Sequence, residues 1–275
     1  MVFHSDLDNT LIYSYKHEIG TGKKCVEIYQ GREISFMTAH SAELLRRVRA
    51  QAVFVPTTTR TVEQYQRIRL GEEPPEYALV CNGGILLVHG ERDAGWYEES
   101  RELVAGCQED LQAVQELLRA DGNVDFEIRD IEGLFVFTKS AEPEQTVCRL
   151  QEYLEGGRLD VFSNGKKVYA VPKALSKGEA VRRFRRRLQG DAGSGKLGSP
   201  IAAGKKGSSF SDSVVVAAGD SRFDISMLEA ADVALAEQSL KLEGIQGEHV
   251  VYLGEEGIFS DEVLEYIWNI YYSGG

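Results

Sequence analysis
The sequence predicts an α/β fold: a parallel sheet with helices on its faces, into which a smaller α+β segment is inserted. Three observations carry that expectation. Apolar strand-like runs alternate with helix-period stretches near both ends of the chain, which calls for crossover connections and hence parallel strands. The middle third shows hairpin signals among helices, an antiparallel arrangement. The apolar runs at the two ends also terminate in carboxylates and hydroxyls, and open α/β sheets bind ligands beyond the carboxyl ends of their strands.

Taken in order, "MVFHSDLD" is a short strand and "YSYKHEIGTGKKCVEIYQGREISFMT" a hairpin with Gly-containing turns. "AHSAELLRRVRA" has helical periodicity and a start signal at Thr38 or Ser41. "AVFVPTTTR" is an apolar strand that breaks into polar residues, followed by the helix "TVEQYQRIRL" and the strand "YALVCNGGILLV". In the middle third, "SRELVAGCQEDLQAVQELLRAD" predicts one long helix, and "DFEIRDIEGLFVFTKS" two strands about Glu132-Gly133. "PEQTVCRLQEYLEG" is a second helix, and "LDVFSNGKKVYAVP" a hairpin turning at Asn164-Gly165. The alternation then resumes with the helix "SKGEAVRRFRRRL", the strand "SVVVAAGD", the helix "DISMLEAA", the short strands "DVALA" and "HVVYL", and a closing helix over "SDEVLEYIWNIYY". The core is thereby expected at 1–87 and 169–275, and the insert at 88–168. The Gly/Ser-rich stretch between Gln189 and Ser211 reads as a surface loop. Within it, Gly190–Leu197 approaches a phosphate-cradling Gly-rich loop, but Leu197 stands where the metal-binding hydroxyl belongs.

Composition narrows the function classes. A hydrophobic content of 43% and charged content of 27% describe a globular chain with an ample core. Lys plus Arg at 31 against Asp plus Glu at 43 gives a net charge of -12, which repels nucleic acid and anionic membrane surfaces. The four cysteines form no C-x-x-C, and the five histidines have no ligand spacing, so neither a zinc site nor a disulfide framework is expected. The chain opens without a basic and apolar leader, and no run reaches the roughly 20 apolar residues of a membrane span. The expectation is a cytoplasmic monomer or homodimer with no nucleic-acid or membrane partner.

Two carboxylates at i and i+2, Asp6 and Asp8, point the same way at the end of the first strand and repel each other unless something positive sits there. The second strand end delivers Thr58 and Arg60, the late strand delivers Asp220 and Asp224, and Lys177 opens a helix. This hard, oxygen-rich set suits Mg²⁺ rather than zinc. It is consistent with phosphoryl transfer: Asp6 attacks phosphorus, Asp8 serves as general acid and then base, Asp6, Asp220 and Asp224 hold Mg²⁺, and Thr58 and Lys177 hold phosphoryl oxygens. Asp224 also fits a helix cap, and Arg60 a solvated helix-start arginine.

On these residues the sequence resembles the haloacid-dehalogenase superfamily of phosphatases, in particular its Cof-type branch (subfamily IIB), which includes sucrose-phosphatase-like enzymes. "DLDNT" at Asp6–Thr10, "TTR" at Thr58–Arg60, "SKG" at Ser176–Gly178 and "GDSRFD" at Gly219–Asp224 stand in the order of its four motifs. "CNGG" at Cys81–Gly84 resembles the Asn-Gly that precedes the inserted domain in that branch. The resemblance spans nearly the whole chain. It implies a Rossmann-like core with an inserted α+β cap of the C2 type, Asp6 as nucleophile, and Asp8 as acid/base with its backbone carbonyl also on Mg²⁺. Arg60 and Asn82 are candidate substrate contacts, and an aspartate at position 8 disfavours dehalogenation. Two residues depart from the pattern: Thr59 replaces a glycine in the second motif, and Phe223 an asparagine in the fourth. The expected activity is Mg²⁺-dependent hydrolysis of a small phosphorylated metabolite, a sugar phosphate, through an aspartyl-phosphate. The alternatives are a phosphosugar mutase or phosphotransferase, or a non-catalytic metabolite sensor. Cap residues Glu127, Arg129, Lys139, Asn164 and Lys166 are candidates for contacts that select the substrate.

Overall fold
The computed structural model describes residues 1–154, 157–189, 213–245 and 247–272. Most of the Gly/Ser-rich stretch, including Gly190–Leu197, lies outside the described residues. The chain forms two compact units, Met1–Asp93 with Lys177–Gly275, and Ala94–Ser176. Among the described residues no helix is long and apolar enough to cross a membrane.

The first unit begins with β1 (Val2–Ser5), then a three-stranded sheet of β2 (Tyr13–Ser14), β3 (Lys23–Tyr29) and β4 (Arg32–Thr38) in the order β2-β4-β3. Helix α1 (Ala39–Arg49) starts where the hydroxyl of Thr38 accepts a hydrogen bond from the Ser41 N–H at 2.8 Å, which satisfies one of the orphan donors of the first turn. Strand β5 (Val53–Pro56) leads to α2 (Val62–Gln66), closed by a capping box between Thr61 and Gln64. The stretch expected as a single strand is instead a hairpin, β6 (Tyr77–Val80) and β7 (Ile85–Val88), extended by β8 (Glu91–Arg92). Cys81 and Asn82 at φ of 52° and 58° reverse the chain there, a backbone preference that apolar patterning does not register.

The second unit is built from α3 (Ala94–Val104), a 3-10 turn at Ala105–Cys107, α4 (Gln108–Arg119), β9 (Arg129–Ile131), β10 (Phe135–Lys139), α5 (Pro143–Tyr153), β11 (Leu159–Asn164) and β12 (Lys167–Pro172). Its sheet is antiparallel, in the order β11-β12-β10-β9. Leu111, Val114 and Leu118 of α4 and Leu150 of α5 pack with Val136, Val161 and Val168 of the sheet. The one long helix expected here is broken in two, with the tighter turn at Gly106, the residue whose helical placement costs about 1 kcal/mol relative to alanine. The unit runs to Ser176, and β12 pairs along its whole length with β11.

The first unit resumes with α6 (Lys177–Leu188), β13 (Val215–Gly219), a 3-10 turn at Arg222–Asp224, α7 (Ile225–Glu229), β14 (Val233–Glu237), a 3-10 turn at Gln238–Glu243, β15 (Val250–Leu253) and α8 (Phe259–Tyr271). The central sheet is parallel throughout, in the order β15-β14-β13-β1-β5. Strands β1 and β13 are buried along their whole length, as the middle of a parallel sheet covered on both faces requires. From β1 the chain moves outward to β5 on one side, and from β13 to β14 and β15 on the other. The direction reverses between β1 and β13, so the crevice at their carboxyl ends is the topological switch point where such sheets bind ligands.

Candidate active site
Asp6 and Asp220 are the residues that immediately follow β1 and β13, and the pairing of Ser5 with Ala218 brings them together. The Asp6 N–H donates to the Ala218 carbonyl at 2.9 Å, which fixes its backbone to the neighbouring strand. Asp224 closes the 3-10 turn after β13: its Oδ2 accepts from the Ser221 N–H at 3.0 Å and the Ser221 hydroxyl at 2.8 Å. It does not cap α7 with its side chain, and its other oxygen faces Lys177. Asp6, Asp220 and Asp224 offer oxygens that all lie within 4.8 Å of one another.

Lys177, the first residue of α6, is 1% exposed, and its Nζ donates to Asp6 Oδ1 at 2.6 Å and Asp224 Oδ1 at 2.5 Å. The N-terminus of α6 reaches this depth because Gly178 lies against α7: a Cβ there would come within 2.0 Å of the Ser226 carbonyl oxygen. Burial alone would discharge the lysine, but Asp224 and Asp6 outweigh it and hold its pKa above the usual value. The carboxylates remain in excess. Burial first, and then the charges of Asp224, Asp220 and Asp8 against the relief from Lys177, raise the Asp6 pKa well above the ordinary range. Asp220 is pushed up to about 7, by burial and then by Asp224, although the Thr10 hydroxyl donates to its Oδ1 at 2.8 Å.

The second motif follows β5. Thr58 is fully buried, its N–H donating to Leu79 O at 2.8 Å and its carbonyl accepting from the Asn82 N–H at 2.9 Å, so the β6–β7 turn braces this segment. Thr59, where the resemblance expects glycine, is not among the residues of positive φ, so no glycine conformation is needed there. Arg60 is not the solvated arginine weighed from the sequence. Its guanidinium, 14% exposed, grips Asp8 with Nε to Oδ2 and Nη2 to Oδ1, both at 2.7 Å, while Nη1 donates to Glu27 at 2.9 Å. The Asp8 carboxylate therefore faces Arg60. Glu27 is a site neighbour that sequence reasoning passes over, because in "KKCVEIY" it alternates like a surface residue.

The sequence matches no family model and no curated protein. Solved structures do match, over almost the full length. The sucrose-phosphatase of Synechocystis sp. PCC6803, solved with sucrose and phosphate, is 17% identical at a TM-score of 0.61, the match covering 98% of this chain and 97% of that one. A trehalose-6-phosphate phosphatase related protein is 14% identical at a TM-score of 0.52, covering 97% and 96%. A haloacid dehalogenase-like hydrolase from Bacteroides thetaiotaomicron is 15% identical at a TM-score of 0.53, covering 97% and 98%. The chain has the fold of the haloacid dehalogenase-like hydrolases. In this fold, the four motif segments quoted from the sequence lie just beyond the carboxyl ends of β1, β5 and β13 or at the start of α6.

Proposed function
We propose that the protein is a Mg²⁺-dependent phosphomonoesterase acting on a small sugar phosphate through an aspartyl-phosphate on Asp6. The observation that carries this reading is the convergence of Asp6, Asp220 and Asp224 within 4.8 Å, two of them paired with the buried ammonium of Lys177. Three carboxylates outnumber the lysine they share, and burial first, then repulsion from the neighbouring carboxylates, raises the pKa values of Asp6 and Asp220. A hard divalent cation fits this all-oxygen donor set, with Asp6, Asp220 and Asp224 as its side-chain ligands and the Asp8 carbonyl as a further one. When bound, Mg²⁺ supplies the positive charge that keeps Asp6 ionised beside a phosphate dianion.

Asp6 attacks phosphorus and the ester P–O bond breaks, while Asp8 gives its proton to the departing alcohol oxygen. A water then attacks the acyl-phosphate and loses its proton to Asp8, and the bond between phosphorus and Asp6 breaks to release phosphate. Lys177 and the Thr58 segment are assigned the phosphoryl oxygens. The names of the similar structures, a sucrose-phosphatase and a trehalose-6-phosphate phosphatase related protein, support a sugar phosphate as the substrate class. The second unit is assigned the part of a cap that selects the alcohol portion. Asn82, in the turn after β6, and the polar residues Glu127, Arg129, Lys139, Asn164 and Lys166 of the second unit are the candidate contacts for it.

The test is phosphate release from a panel of sugar phosphates, nucleotides and phosphorylated acids, with Mg²⁺ or EDTA, for wild type and Asp6→Asn. The expected result is Mg²⁺-dependent release selective for sugar phosphates, and none from Asp6→Asn, whose amide cannot form the acyl-phosphate. Turnover that survives the substitution, or that EDTA leaves unchanged, refutes the proposal.

A further inference from the structure
Glu27 is a carboxylate with no exposed side-chain surface, set in a three-stranded sheet rather than at the strand ends that form the site. Strict alternation along β3 would turn it away from Val26, yet both are buried while Ile28 is 60% exposed. The cause is a bulge: the register of β3 against β4 shifts between Cys25 and Glu27 and again between Glu27 and Ile28. Bulges re-aim side chains, and this one turns Glu27 inward. Burying a charge there is tolerable only with partners, and three donors converge on it. Arg60 Nη1 lies at 2.9 Å and the Ser35 hydroxyl at 2.7 Å from Oε2, and Arg67 Nε at 3.1 Å from Oε1.

A guanidinium is a rigid plane, so fixing one nitrogen fixes the direction of the opposite edge. With Nη1 on Glu27, the Nε and Nη2 edge of Arg60 is aimed at Asp8 and holds both of its oxygens. The Asp8 side chain is 49% exposed, and this fork engages both of its oxygens from the protein side. We propose that Glu27 is a positioning residue that acts on the reaction only through Arg60, setting the orientation of the Asp8 carboxylate. The assignment rests on the phosphatase reading above, in which the Asp8 carboxylate takes the proton of the attacking water.

The test is a double-mutant cycle of Glu27→Gln and Arg60→Lys, with p-nitrophenyl phosphate and the best sugar phosphate of the panel. Each substitution is expected to lower kcat by about 100-fold with KM changed less than about twofold, the signature of a misplaced catalytic group. The double variant is expected to lose no more than Arg60→Lys alone, because Glu27 has no other route to the reaction. Losses that multiply, or that fall on KM, overturn the proposal. If Glu27→Gln fails to fold, Glu27→Asp, which keeps the buried charge but shortens its reach to Arg60, takes its place in the cycle and in the exchange measurement below with the same expected outcome. NMR of isotope-labelled arginine gives a readout independent of turnover: hydrogen exchange at Arg60 Nε–H is expected to be slow in the wild type and faster in Glu27→Gln. Unchanged exchange refutes the relay, whereas absent wild-type turnover refutes the phosphatase reading and leaves the exchange result standing.

Discussion

Replacing Lys177 by methionine removes its ammonium from the centre of the site while nearly keeping its volume. In the structure that nitrogen lies 2.6 Å from Asp6 and 2.5 Å from Asp224, and the lysine side chain is 1% exposed. Deleting one partner of a buried ion pair leaves an uncompensated charge and costs about 3–5 kcal/mol. At about 2–4 °C per kcal/mol for a chain of this size, the melting temperature in EDTA is expected to fall by about 6–20 °C. Divalent cation should recover part of this, because a site with one more net negative charge binds it more tightly; a cation at 100 times its Kd stabilises by about 2.7 kcal/mol. The assay is calorimetry of wild type and Lys177→Met in EDTA and across a Mg²⁺ titration. A fall in EDTA of less than about 2 °C would show that the ammonium does not hold these carboxylates together, and the charge argument for the cation site would go with it.

The raised pKa values of Asp6 and Asp220 set a pH dependence. Both are above the unfolded value, so the folded state binds more protons and their contribution is most favourable below pH of about 4, then is lost as pH rises through about 7 for Asp220. Melting curves in EDTA should therefore show this contribution declining across that window, with Mg²⁺ stabilising more at pH 8 than at pH 5; equal stabilisation at both would refute the charge-excess account. Gly178→Ala would place a Cβ within 2.0 Å of the Ser226 carbonyl oxygen, so α6 must shift. Overpacking of this kind costs about 1–3 kcal/mol or more, and a melting temperature unchanged from wild type would contradict the close approach. In the second unit, Leu111→Ala empties a position packed between helix and sheet. It should cost about 2–5 kcal/mol, and a denaturant midpoint within error of wild type would refute that core assignment.

Much of the candidate site was legible because strand ends are. Asp6 and Asp8 stop an apolar run, Asp220 stops another, and Lys177 opens a charged amphipathic helix, so period and punctuation locate them without coordinates. The hairpin at Cys81–Gly84 and the break at Ala105–Cys107 were not legible. Both are decided by local backbone energies of about a kcal/mol, which hydrophobic patterning does not resolve.

By itself the sequence determined the alternation that makes a parallel sheet, the existence of an antiparallel insert, and which acidic residues stand at strand ends. Only the tertiary structure decided their partners. Thr10 meets Asp220 across 210 residues because β1 and β13 are neighbours at the point where the strand order reverses. Glu27 leaves the surface and joins Arg60 because a bulge in β3 breaks the alternation that a linear reading assumes. Periodicity is local and written along the chain, whereas pairing depends on register, burial and charge between segments far apart in it.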